Sequence, residues 1–264
     1  MKCIKSVMVS LVAVAVMLAA SVAKANDYSV SGLASNLQVN AGAGVAHTPG
    51  QTAMFETVGL SVGLPVTRVN GIVIGAQVGG DTALNQIGSR NIQTADATVG
   101  LFARNITTLW SGHQVAFAAL FDYDYTTGYR NLVSFRPVAG VTLTKQDEVF
   151  LTGSTGVISD HGDYVNDFVQ AGWTRDWNKN ITSQARLGWQ FEKDGSRLEQ
   201  PVGGASLEYR LTRNLSVVVS GDLSGNNSRG VDSVALVSFV IGGAGQSGSV
   251  LSQIGGDRLT PFNR

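Results

Sequence analysis

From Ile181 to Glu192 the two kinds of side chain alternate one for one. Ile181, Ser183, Ala185, Leu187, Trp189 and Phe191 interleave with Thr182, Gln184, Arg186, Gly188, Gln190 and Glu192. Successive side chains of an extended strand point to opposite faces, so this period builds a ribbon with one oily and one wet surface. A helix would scramble the two sets. The pattern recurs. Val58, Leu60, Val62 and Leu64 stand against Gly59, Ser61 and Gly63, and Ile72, Ile74, Ala76 and Val78 against Val73, Gly75, Gln77 and Gly79. Similar segments begin near Leu37, Ala95, Gln114, Leu132, Glu148, Phe168, Val202, Leu215 and Val231. Together they predict an all-β chain of about twelve strands, each of roughly ten residues, a length that suits a tilted membrane-crossing strand.

The connections carry the next constraint. Short turns are expected at Thr67–Gly71, Asn105–Gly112, Thr144–Asp147, Asn178–Asn180 and Thr212–Asn214, with longer loops between, among them Gly80–Gln93, Lys193–Pro201 and Ser224–Gly230. Short connections on one side and long ones on the other describe an antiparallel up-and-down barrel, its two ends on the short-turn side. Because a one-residue slip inverts a strand's faces, each turn also predicts a register. Folding at Lys179 sets Trp177 against Ile181, Trp173 against Ala185 and Thr174 against Gln184. Folding at Arg213 sets Leu211 against Leu215, Tyr209 against Val217 and Ser206 against Ser220. The Lys145–Gln146 turn pairs Val141 with Val149 and Ala139 with Leu151, and a turn centred on Val69 pairs Val66 with Ile72 and Leu64 with Ile74. Pro137 removes a ladder donor in mid-strand, so a bulge is expected there.

Which surroundings the oily face meets follows from the rest of the chain. Lys2 and Lys5, the apolar run Val7–Ala20 and the small–x–small triplet Ala23-Lys24-Ala25 make a secretory signal peptide, cleaved after Ala25. Its apolar run of about 14 residues is too short for a spanning helix. The expected organisation is a signal peptide over 1–25, a barrel over 26–241 and a flexible Gly/Ser-rich periplasmic tail over 242–264. Cys3 leaves with the signal, so disulfides and cysteine metal sites are excluded. Without Lys2, Lys5 and Lys24 the 19 basic residues fall to 16 against 19 acidic ones, which is no nucleic-acid footprint. Charged residues are only 14% of the chain, against roughly 25% in soluble domains. The wet faces are instead rich in Gly, Ser, Thr and Gln, which suits a crowded lumen. Aromatic side chains gather at the ends of the oily face: Tyr123, Trp189 and Phe191 towards one rim, Trp177, Tyr209 and Phe239 towards the other. Such girdles mark membrane interfaces, so lipid is expected against the oily face, the alternative being a soluble all-β protein with that face turned into a core.

In these features Leu37 to Ile241 resembles the Gram-negative outer-membrane barrels, in the size range of small porins. The resemblance implies an outer-membrane location, outer-membrane lipid and lipopolysaccharide as surroundings, and a barrel-insertion machinery as partner. Such barrels commonly close on an aromatic residue that this machinery reads. Phe239 or Ile241 would take that part, although the chain runs on to Arg264, with Pro261-Phe262 as a short docking candidate.

Catalytic equipment is sparse. His47 and His161 are expected in long outer loops and His113 in a turn at the opposite rim, too far apart for a three-His metal site. His161 with Ser159 and Asp160 is the nearest approach to a Ser-His-acid set, and solvated loop residues explain it better. Asp160, Asp163, Asn166 and Asp167 lack the spacing of a calcium loop. Gly75 to Gly79 precedes no helix and is no phosphate loop. Asp96 and Asp122 are expected to face each other across the fourth and fifth strands. No enzyme activity, cofactor or metal follows. Acids crowd the expected outer rim (Asp81, Asp122, Asp124, Asp160, Asp163, Asp167, Glu192, Asp194, Asp222, Asp232). Bases crowd the other (Arg68, Arg104, Lys145, Arg175, Lys179, Arg210, Arg213). The expectation is a porin-like passive channel for small hydrophilic solutes, lined by Gln77, Gln114, Arg136, Gln170, Gln184, Arg186, Gln190 and Glu208. The alternative is a structural or surface-interaction barrel with a closed lumen.

Overall fold

The structure, a computed structural model, describes residues 37–70, 72–87, 90–104, 113–126, 131–159, 165–194, 196–212, 214–226 and 230–242. The signal segment, the tail, the 105–112 connection, Asp160, His161 and Asp163 lie outside the described residues. The strands are β1 (Leu37–Thr48), β2 (Gln51–Val69), β3 (Ile72–Ile87), β4 (Arg90–Arg104), β5 (Val115–Thr126) and β6 (Asn131–Thr142). They continue with β7 (Asp147–Ser159), β8 (Val165–Asn178), β9 (Ile181–Asp194), β10 (Ser196–Thr212), β11 (Leu215–Asn226) and β12 (Gly230–Gly242). Each pairs antiparallel with its neighbours in the chain, and β1 meets β12 to close a twelve-stranded barrel. Closure removes the sheet edges, which in lipid would cost several kcal/mol for each unpaired backbone group. The seam runs from Gln38 opposite Gly242 to His47 opposite Ser233. Gly242 ends it at φ 104°, where a Cβ would fall on the carbonyl oxygen of Leu37, so only glycine fits.

The two faces separate as the alternation requires. Val78, Val99, Leu101, Phe117, Leu151, Leu187, Leu207, Val219 and Val237 are exposed on the outside. Tyr123 and Trp189 stand exposed towards one rim, and Trp177, Tyr209 and Phe239 towards the other. The intervening residues face inward. Two apolar clusters sit on that inner wall: Phe102, Ala118, Leu120, Val138 and Phe150, and Ala46, Phe55, Val234 and Leu236. The second explains why β12 carries Val234 and Leu236 on its nominally wet side.

Register follows the turns with local corrections. Val141 meets Val149 and Ala139 meets Leu151; Trp173 meets Ala185 and Thr174 meets Gln184; Tyr209 meets Val217 and Ser206 meets Ser220. Bulges after Asp176 and Arg210 bring Asn178 opposite Ile181 and Thr212 opposite Leu215, displacing Trp177 and Leu211 from the expected pairs. The β2–β3 turn departs further. Val69 lies opposite Ile72 and Thr67 opposite Ile74, because only Asn70 and Gly71 separate the two strands in sequence, with Asn70 at φ 50°. That pair suits a two-residue hairpin, and a bulge between Pro65 and Thr67 restores the faces. Pro137 needs no bulge of its own. The β6–β7 ladder skips Arg136 and Pro137 and bulges instead between Val133 and Ser134.

The expected long loops are mostly ladder. Ile87 pairs with Arg90, Ser196 with Asp194 and Asn226 with Gly230, so the sheet continues through most of Gly80–Gln93, Lys193–Pro201 and Ser224–Gly230. Beyond the lipid neither face need be oily, so the hydrophobic period fades while backbone pairing persists. His47 likewise belongs to β1, beside a tight Thr48–Gln51 reversal.

Candidate functional site

The barrel interior is the site to consider. Eight strands give an interior that side chains just fill; twelve strands about 4.8 Å apart, tilted about 40°, close into a ring roughly 24 Å across between backbones. Facing side chains alone do not fill that width. Close backbone approaches also concentrate between ladder neighbours, with no comparable approach of opposite walls among the described residues.

Charge is arranged on this wall in three groups. Asp122 on β5 and Arg136 on β6 form a buried bidentate pair: Arg136 Nε donates to Oδ2 at 3.0 Å and Nη2 to Oδ1 at 2.9 Å. Thr98 Oγ1 donates to the same carboxylate at 2.6 Å. Arg186 on β9 reaches across β10 to pair with Asp222 on β11. It passes over Gly204, which is opposite both residues, and a Cβ at 204 would fall on the Asp222 carboxylate. Third, Asp81, Asp96 and Asp124 lie side by side across β3, β4 and β5, with the Asp81 N–H donating to Asp96 Oδ1 at 3.2 Å. Asp96 therefore faces Asp124, not Asp122, which lies opposite Thr98. Asp122 and Asp222 also belong inside the wall instead of on the rim, each matched to an arginine. Nearer the end holding Leu37 and Gly242, Glu208 and Arg210 approach to 3.8 Å, and Thr182 Oγ1 donates to Asp176 at 2.5 Å.

Of the residues singled out as a lining, Gln77, Arg136, Gln184 and Gln190 are inward and buried. Gln170, Arg186 and Glu208 are inward and partly open. Gln190 accepts from Gln200 Nε2 at 3.3 Å, and Gln184 from Arg186 Nη1 at 3.4 Å. Gln114 is the exception: it precedes β5, exposed at the rim, its N–H donating to Thr142 Oγ1. Gly204, Asp222 and Thr98 were not foreseen as parts of the site. A complete register would have exposed them, since Arg186, Gly204 and Asp222 fall in one row. His113 bonds the Thr142 carbonyl through Nδ1 at 2.6 Å. His47 Nδ1 lies 3.0 Å from Thr52 Oγ1. Among the described residues no group of His, Cys, Asp and Glu is placed to hold a metal ion.

A closed antiparallel sheet, oily outside and charged within, is a β-barrel of the outer-membrane, porin-like kind. Comparison with solved structures agrees. The KdgM porin superposes with a TM-score of 0.52 at 10% identity, over 77% of this chain and 98% of its own. An outer membrane channel from Pseudomonas putida F1 gives 0.59 at 10% identity, over 78% and 94%. The NanC porin gives 0.51 at 12% identity, over 78% and 98%. At such identities the likeness is one of fold. Neither a family model nor a curated protein sequence matches the chain.

Proposed function

We propose that the barrel is a non-catalytic, passive channel for small hydrophilic solutes and that it favours neutral and cationic ones. The observation carrying this is the charge of the outer half of the wall. Among the described residues Asp81, Asp96, Asp122, Asp124, Asp222 and Asp232 face inward there, against Arg136 and Arg186 near mid-depth. An acidic passage between low-dielectric walls concentrates cations and repels anions. The polar β8–β11 wall, with Gln170, Arg186 and Glu208, would line the passage beside the apolar cluster of β4–β7. A KdgM porin structure is described in complex with disordered oligogalacturonate, a carboxylate-bearing sugar; the charge of this lumen argues against such a cargo here. On this reading outer-membrane lipid and lipopolysaccharide surround the barrel, and an insertion machinery assembles it after a signal peptide over 1–25 is removed.

The second reading is a barrel with a closed lumen working through its outer hairpins, favoured by the two apolar clusters inside the wall. Planar bilayers decide between them. Discrete conductance steps, with a reversal potential towards the cation equilibrium value in a KCl gradient, are expected for the channel. Silence from protein shown to be inserted would defeat it. Anion preference would refute the charge argument.

A further inference from the structure

On the outside of the barrel, between β5 and β9, the sheet carries a depression of about 670 Å³, within the ~300–1,000 Å³ of small-molecule sites. Its cause is a run of mismatched neighbours. Leu151 lies opposite Ala171, Ala171 opposite Leu187 and Trp173 opposite Ala185, so the alanines form a floor between large side chains. Phe117 completes the rim of the hollow. These residues face lipid, in the half of the barrel holding the Lys145 and Lys179 turns.

What lies next to the hollow is charged. One step towards those turns Asp147 is opposite Arg175, whose guanidinium sits 4.8 Å from the Trp177 ring and 3.4 Å from Asp147. Trp173 Nε1 donates to Asp147 Oδ1 at 3.1 Å, tying the hollow's wall to this pair. Lys145 and Lys179 are exposed in the adjoining turns. Among the described residues the strip thus holds three cations and the one carboxylate of Asp147, while neighbouring Asp176 is engaged by Thr182 on the inner side. An apolar hollow at acyl-chain depth, with a cationic strip at headgroup depth, has the profile of one amphiphilic anion.

We propose that this face holds one anionic glycerophospholipid of the periplasmic leaflet, an acyl chain over Ala171 and Ala185 and its phosphate among Lys145, Arg175 and Lys179. The proposal rests on the membrane orientation of the barrel and not on conduction. Each basic residue near the surface favours an anionic lipid roughly fivefold.

Native mass spectrometry of the intact barrel, released from nanodiscs of equal phosphatidylglycerol and phosphatidylcholine, tests it. One retained phosphatidylglycerol is expected, in roughly 25-fold excess over phosphatidylcholine, about fivefold for each of the two turn lysines. Ala171→Leu fills the hollow and should abolish retention while heat-modifiable migration reports an intact barrel. Lys145→Gln with Lys179→Gln, confined to turns, should cut the preference more than tenfold. Equal retention of both lipids, or retention unchanged by either variant, would overturn the proposal. So would a loss of dimer on Ala171→Leu, which would make a second copy of the chain the occupant.

Discussion

Replacing Arg136 by methionine removes two donors from a carboxylate held inside the wall. The Asp122 and Arg136 side chains are 0% and 6% exposed, so water does not replace what is lost without local rearrangement. Each charge-assisted hydrogen bond is worth about 1.5–3 kcal/mol, and two are deleted. Removing one partner of a buried pair costs about 3–5 kcal/mol by the same physics. Arg136→Met alone should therefore lower unfolding stability by about 3–5 kcal/mol, and Asp122→Asn alone by a comparable amount. The double variant leaves no buried charge and should recover most of the loss, giving a coupling of about 3 kcal/mol or more. The assay is reversible urea unfolding in micelles, followed by tryptophan fluorescence, for the four members of the cycle. A cost for Arg136→Met below about 1 kcal/mol, or strictly additive single changes, would refute the view that this pair is a sealed part of the wall.

Two further pairs of substitutions probe the faces. Gly204→Ala places a methyl group on the Asp222 carboxylate and should cost about 1–3 kcal/mol, as overpacking does. At Gly221 the nearest atom to an added Cβ is 3.6 Å away, so the same change there should stay within about 0.5 kcal/mol in the same unfolding assay. Val219→Arg puts a cation into lipid and should cost about 2–4 kcal/mol at mid-depth, whereas Ser220→Arg points inward, costs less and lowers cation preference in bilayer recordings. Equal costs for these two neighbours would contradict the assignment of outside and inside.

The strands and their faces were legible in the chain because the period of two is a local property: Ile181 to Phe191 shows it without any partner. Turn chemistry carried register at Lys145–Gln146, and across Lys179 and Arg213 to within a bulge. It failed at Asn70, where a tight two-residue reversal had to be weighed against a wider one centred on Val69 of similar polarity. Hairpin extensions such as Ile87 opposite Arg90 left no hydrophobic trace, because strands beyond the lipid pair through backbone alone. The matching of Arg186 to Asp222 across Gly204 needed two consecutive registers, one through the Lys193–Pro201 segment that sequence reads as loop. Which aspartates meet was likewise invisible, since Asp96 faces Asp124 only once the β4–β5 ladder is set, and the 105–112 turn that joins those strands gives no register by pattern. The chain alone determined that it would be a closed, two-faced sheet, because alternation and edge closure are written residue by residue. Which charges are neutralised in the lumen and where alanines hollow the outer wall were decided only by tertiary structure, because both depend on side chains brought together by strands distant in sequence.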